Sequence, residues 1–176
     1  MSLQKANYFE LFSLPVSFQL ENARLEVAYK KLQSEFHPDK AVNADDRARV
    51  QALQQTSMIN DAYATLKSPL KRAAYLLKLA GIDAEEHNQL HLDEAFLIQQ
   101  MEMRETLASL IEGEDIEGLD TMKDSIDKER VAILASFETK FTASHFVDAK
   151  SIYNKLQFIY KLLDEIDKAE EKLLDY

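Results

Sequence analysis

The sequence predicts an all-α protein, an antiparallel helical hairpin with two short helices followed by a three-helix bundle. Three observations predict it. Only three Gly and three Pro occur in 176 residues, too few breakers for a sheet-rich chain with many tight turns. Apolar residues recur at steps of three and four along most of the length, the spacing of one helix face. Hydrophobic residues make up 46% and charged residues 30%, a globular balance that argues against intrinsic disorder.

The elements follow in order. Asn7-Tyr8-Phe9-Glu10-Leu11-Phe12 reads as a short first helix, closed by the turn Leu14-Pro15-Val16-Ser17, where Pro15 blocks extension. Residues 20–36 form the second helix: Leu25, Ala28, Tyr29, Leu32 and Phe36 line one face, and Arg24, Lys30 and Lys31 lie off it toward water. Pro38 lacks an N–H and pushes His37 out of the α region, so this helix stops at Phe36 or His37. The polar run Asn43-Ala44-Asp45-Asp46 offers caps for a third helix that buries Ala48, Ala52, Gln55, Ile59, Ala62 and Leu66. Ser68 as N-cap and Pro69 at the first helical position open a fourth, running through Leu76, Leu77 and Leu79 to a C-cap at Gly81.

The second half reads as helices over 92–111, closed by Glu112-Gly113-Glu114, over 119–141 and over 146–174. In the last, Ile152, Leu156, Ile159, Leu163 and Ile166 make a core seam, with Phe158 and Leu162 falling off it. The helix over 92–111 carries two apolar faces. Phe96, Met103, Leu107 and Leu110 form one; Leu97, Ile98 and Met101 form the other, followed on the same side by Glu102 and Glu105. Such a helix is either buried on both sides, with the core extended toward the fourth helix, or presents one face to a partner.

Charge divides the chain as the helices do. Up to Ala84 there are eleven Lys and Arg against nine Asp and Glu; from Glu85 onward there are ten against 22. The step marks a boundary, with a first domain over 1–80, a linker over 81–88 and a second domain over 89–176. A net charge of −10 argues against nucleic acid as the main partner. With no cysteine, thiol catalysis, disulfides and cysteinyl metal ligation are all removed. No apolar run reaches membrane-span length and the first residues lack a signal-peptide core, so a cytoplasmic location is expected.

His37-Pro38-Asp39 is a polar corner on a helical hairpin, and by itself it is either a helix stop or a docking point. Neighbours flanking a proline in a solvent-facing loop do not converge on a reacting group, so a catalytic pair is the poorer reading. His87 and His91 are four apart, with Glu86 and Asp93 as nearby oxygen ligands, but two imidazoles do not make a structural zinc site. No Gly-rich phosphate loop is present, so an intrinsic ATPase is not expected; nor is a cofactor or resident metal expected.

Together, Asn7 to Phe12, His37-Pro38-Asp39, Ile59-Asn60-Asp61-Ala62-Tyr63-Ala64-Thr65-Leu66 and Ser68-Pro69-Leu70-Lys71-Arg72-Ala73-Ala74-Tyr75-Leu76 resemble a J-domain. With the acidic bundle, Ala95-Phe96-Leu97-Ile98 before Met101-Glu102-Met103-Arg104-Glu105, and Glu170-Glu171-Lys172-Leu173-Leu174-Asp175-Tyr176, the whole chain resembles the HscB family of co-chaperones of iron–sulfur cluster assembly. The resemblance implies a non-enzyme that stimulates ATP hydrolysis by a DnaK-class chaperone of HscA type and brings to it the cluster scaffold protein IscU. It implies chaperone contacts at His37, Pro38, Asp39 and Lys40, beside the basic residues Arg24, Lys30 and Lys31. For the scaffold it implies Leu97, Ile98, Met101, Glu102, Glu105 and Phe158; where the family carries a further acid one turn on, this chain has Ser109. Eukaryotic relatives add a cysteine-rich metal module, which a cysteine-free chain lacks, so the bacterial type is expected. The alternative is a J-protein delivering a different or general client, although no Gly/Phe-rich linker or cysteine repeat accompanies the J-domain here.

Overall fold

A computed structural model describes residues 7–36, 46–84 and 94–174. Among them there are seven helices and no strand: α1 (Tyr8–Leu11), α2 (Asn22–Glu35), α3 (Asp46–Lys67), α4 (Pro69–Leu79), α5 (Glu94–Glu112), α6 (Ile116–Thr142) and α7 (Phe146–Leu174). The chain divides into two compact units, Met1–Leu76 and Leu77–Tyr176.

In the first unit, Asn7 starts α1 with a capping box: its Oδ1 accepts from the Glu10 N–H at 3.0 Å, and Glu10 Oε2 accepts from the Asn7 N–H at 3.1 Å. The Tyr8 ring stacks on Tyr75 at 4.4 Å, and the Tyr8 N–H donates to the Tyr75 hydroxyl at 2.9 Å. Burial pushes the Tyr75 phenol above its ordinary pKa. Helices α2 and α3 run antiparallel, because Tyr29 stacks on Tyr63 while Phe36, further along α2, meets Thr56, further back along α3. All six residues assigned to the inner stripe of α3 are buried or half-buried. The sequence places the start of α2 at residue 20; the helix begins at Asn22.

Arg72 is the unexpected member of this core. It is only 6% exposed, and its guanidinium donates from Nε to the Leu66 carbonyl at 2.7 Å and from Nη1 to the Phe18 carbonyl at 2.6 Å. Leu66 O belongs to the last turn of α3, where carbonyls have no partner within the helix. Phe18 O belongs to the loop before α2, and the guanidinium also covers the Phe18 ring. One side chain therefore joins the α1–α2 loop, the end of α3 and α4.

The second unit is an up-down-up bundle. Arg130 over Tyr160, Lys123 against Asp167 and Glu170, and Lys140 against Asp148 set α6 and α7 antiparallel. Phe96 with Phe158 and Arg104 with Glu165 set α5 and α7 parallel. The core gathers Leu107, Leu119, Ile126, Ile159, Leu162, Leu163, Ile166 and Ala169. Leu162, assigned from spacing to a position off the seam, is fully buried. A two-step seam is too narrow for α7, which packs against both α5 and α6 and buries a wider arc. Helix α6 starts at residue 116 rather than 119, because Asp115 accepts the Gly118 N–H at 2.9 Å and caps it.

Four helices close in one way. Leu14 N–H reaches back to Phe9 O, Ile82 to Leu77, Asp115 to Leu110 and His145 to Lys140, all five residues back, with the preceding residue left-handed. That residue is Gly81 after α4, as the sequence suggests, but Ser13, Glu114 and Ser144 elsewhere. After α5 it is therefore Glu114, at φ 51°, and not the adjacent Gly113, that takes the glycine-like conformation. Glu114→Gly and Ser144→Gly are each expected to stabilise the bundle by about 0.5–1 kcal/mol, relieved strain exceeding the added freedom of the unfolded chain. Urea unfolding midpoints of the two variants check this.

Candidate functional site

Two surfaces, one in each unit, carry those residues singled out from sequence that the structure describes. The first is the outer side of α2. Arg24, Lys30 and Lys31 are all exposed. Arg24 Nε lies 2.8 Å from Glu21, one turn back, and Lys30 Nζ lies 2.7 Å from Glu26. The hydrogen bond from Lys30 and its charge hold the Glu26 carboxyl below the usual range and push the Lys30 ammonium up. Exposed pairs of this kind are weak and exchange readily with water or with a partner's carboxylates. Counted over residues 21–35, Arg24, Lys30 and Lys31 are matched in number by Glu21, Glu26 and Glu35, so this stretch carries no net charge and its cations act as separate exposed groups.

Sequence reasoning missed the apolar part of this surface. A groove of about 560 Å³ runs between α2 and the α1–α2 turn, lined by Phe12, Leu14, Val27 and Leu32, with Arg24 and Lys31 also at its wall. Val27 is 70% exposed. Its one-turn spacing from Arg24 and Lys31 is the signal that could have found it.

The end of α2 is pinned from the side. Thr56 Oγ1 of α3 donates to Phe36 O at 2.8 Å, and the same hydroxyl also lies 2.9 Å from Ala52 O. Tyr29 strengthens the clamp one helical stretch earlier, with its hydroxyl 3.0 Å from Asn60 Oδ1 and accepting from Gln33 Nε2 at 3.0 Å. The chain thus leaves a fixed point at Phe36. His37, Pro38, Asp39 and Lys40 come next and lie outside the described residues, as do Glu86, His87, His91 and Asp93. Among the described residues there is no cluster of three or more His, Cys, Asp or Glu able to hold a metal ion.

The second surface is the outer face of α5. Phe96, Gln100 and Leu107 are buried, with Met103 and Leu110 packed against the core, so one side of the helix belongs to the bundle. The other side leaves Leu97 41%, Ile98 51% and Met101 65% exposed. Glu102 and Glu105 are exposed along the following turns. Phe158 of α7 is half-buried and meets Phe96 edge-on at 6.0 Å, a contact on the bundle-facing side of α5. Ser109, which stands where a further acid would sit, bonds its own helix instead, donating to Glu105 O at 3.1 Å.

Gln100 is the residue that the apolar pattern did not disclose: it is 4% exposed, and its Nε2 donates to Met103 Sδ at 3.6 Å. Chemically, the outer face of α5 offers apolar area with a carboxylate edge and no nucleophile or acid–base pair. It is suited to holding another protein by three large side chains, with the acids setting which basic surface can approach.

Comparisons with known proteins agree with both halves. Residues 7–75 match the DnaJ domain family and residues 92–167 match the family described as the HSCB C-terminal oligomerisation domain. A co-chaperone protein HscB homolog of Vibrio cholerae is 41% identical over 172 residues, spanning 96% of this chain and 99% of that protein. The solved structure of chaperone HscB from Vibrio cholerae superposes with a TM-score of 0.86 at 38% identity, over 96% of this chain and 99% of its own. Human co-chaperone HscB also gives 0.86, at 29% identity, over 93% of this chain and 82% of its own. No helix among the described residues is long and apolar enough to cross a membrane.

Proposed function

The chain belongs to the HscB family of co-chaperones, and on that basis we propose that it serves two partners through its two units. The first unit stimulates ATP hydrolysis by a DnaK-class chaperone of HscA type. Arg24, Lys30, Lys31 and Lys40 steer an acidic surface of the chaperone onto α2, and His37, Pro38 and Asp39 dock beside it. The second unit holds an IscU-type iron–sulfur scaffold protein on Leu97, Ile98, Met101, Glu102, Glu105 and Phe158. The chemistry belongs to the chaperone, and this protein has no active site of its own. By carrying the scaffold to the chaperone it raises the scaffold's effective concentration there, in the cytoplasm, and so assists cluster assembly and transfer.

The observation that carries this reading is the exposed apolar stripe Leu97, Ile98 and Met101, on a helix whose opposite side already fills the bundle core. An exposed apolar patch edged by charged residues is the mark of an interaction surface, and Met is among the residue types enriched at interfaces.

The test is steady-state ATP hydrolysis by an HscA-type chaperone with this protein, with and without an IscU-type scaffold. The double variant Leu97→Asp, Met101→Asp is expected to weaken scaffold binding by about 100-fold, because two charges are placed against apolar contacts. It abolishes the increment in hydrolysis that the scaffold adds, while leaving stimulation by the first unit intact. An unchanged increment would refute the scaffold surface. A change in self-association alone would assign the face to contacts between copies of the chain.

A further inference from the structure

We propose that Met101 is a modification site, at which a hydroperoxide converts the thioether to the sulfoxide and thereby weakens docking on the outer face of α5. The first half stands on the chain alone; the second rests on the reading of that face given above.

The chain has no cysteine, so methionine is its only sulfur. Thiolates, where present, meet peroxides first; this chain has none to do so. Among the described residues the methionines are Met58, Met101, Met103 and Met122. Only Met101 is exposed, at 65%, and the other three are partly covered. Met103 and Met122 pack against the bundle core, and Met103 Sδ already accepts a hydrogen bond from Gln100 Nε2. Access favours Met101 over the other three, and the Gln100 bond further protects Met103.

The step balances with one named co-reactant. A sulfur lone pair attacks the terminal peroxide oxygen, the O–O bond breaks as the S–O bond forms, the proton of the transferred oxygen passes to the departing oxygen, and the sulfur gives up two electrons. Hydrogen peroxide leaves as water, or an alkyl hydroperoxide as its alcohol. The product is a polar, chiral group. It stands between Leu97 and Ile98 on one side and Glu102 and Glu105 on the other, within the apolar part of the stripe. A sulfoxide there must be dehydrated for a partner to dock, whereas the thioether is not so penalised. Because α5 buries its other face, the modification leaves the bundle core untouched.

The experiment treats the full chain with limiting hydrogen peroxide and follows each methionine by proteolysis and mass spectrometry. Met101 is expected to oxidise at least about tenfold faster than Met58, Met103 or Met122, as the most accessible sulfur of the four. Comparable rates, or an earlier reaction at another of the four, would overturn the site.

Binding of an IscU-type scaffold is then measured before oxidation, after it, and after treatment with a methionine sulfoxide reductase. The expected result is about tenfold weaker binding on oxidation, roughly 1.4 kcal/mol, and recovery on reduction. A Met103→Leu, Met122→Leu variant should show the same loss, which locates the effect outside the core. Full Met101 oxidation without loss of affinity would overturn the docking consequence. Failure of the unoxidised protein to bind scaffold at all would instead overturn the reading of the face, and the docking half with it, while the order of oxidation still decides the site.

Discussion

Asp39→Asn is expected to abolish stimulation of the chaperone's ATPase while leaving the protein folded and able to bind scaffold. The substitution keeps size and hydrogen-bonding shape but removes the charge. A carboxylate accepting from a cation forms a bond about twice as strong as a neutral one, and its loss at a docked interface costs on the order of 2–3 kcal/mol. Activation requires tighter binding to the hydrolysis-competent state than to the resting one, so losing the contact that discriminates them removes activation even where some binding remains. Any residual binding through Arg24, Lys30 and Lys31 is expected to weaken as the salt concentration is raised. The measurement is ATP turnover against co-chaperone concentration for both proteins, with scaffold affinity as the control for folding. If the variant stimulates as well as the parent, His37-Pro38-Asp39 is no more than a helix stop.

Arg72→Leu should destabilise the first unit by about 3 kcal/mol or more. The leucine fills much of the same space, but it leaves the Leu66 and Phe18 carbonyls without the guanidinium that satisfies them. Each buried acceptor left without its donor costs about 1–3 kcal/mol. Arg72→Lys recovers only part of this, because an ammonium cannot reproduce the planar fork that serves both carbonyls. Native-state amide exchange reads the effect unit by unit. Amides of α2 and α3 should open more readily, whereas those of α6 and α7 keep their protection. Equal loss in both units, or none in the first, would contradict the role given to Arg72.

The helices were legible because their signals are local. Phe36 before Pro38, Ser68 before Pro69, and the three-and-four spacing of Ile59, Ala62 and Leu66 each report on the chain within one or two turns. The two faces of α5 were legible for the same reason: a 19-residue helix shows its periodicity twice over. What the sequence withheld depends on partners distant in the chain. Arg72 looks like any other cation on an amphipathic helix until the Phe18 carbonyl, 54 positions away, is placed beside it. Leu162 is core because two helices flank α7, and no window along one helix reports how many neighbours it has. Glu114 takes the left-handed turn although Gly113 stands beside it, since the position is set by where the last helical bond falls. For the candidate surfaces, the exposed residues were identifiable in advance, whereas the pinning of Phe36 by Thr56 and the groove beside Val27 were not.

The parallel pairing of α5 with α7 bears on how the bundle assembles. Helices α6 and α7 are neighbours in sequence and share the most extensive packing, so closing them costs one short loop. Parallel helices cannot be joined that way, and α5 meets α7 only across the whole length of α6. Helix α5 is also joined to α6 by a short loop but packs less extensively on either neighbour, so the α6–α7 hairpin is expected to form first and α5 to dock onto it afterwards. On this packing, α5, the helix whose outer face is proposed as a docking surface, is expected to be the last to join the bundle and the first to leave it.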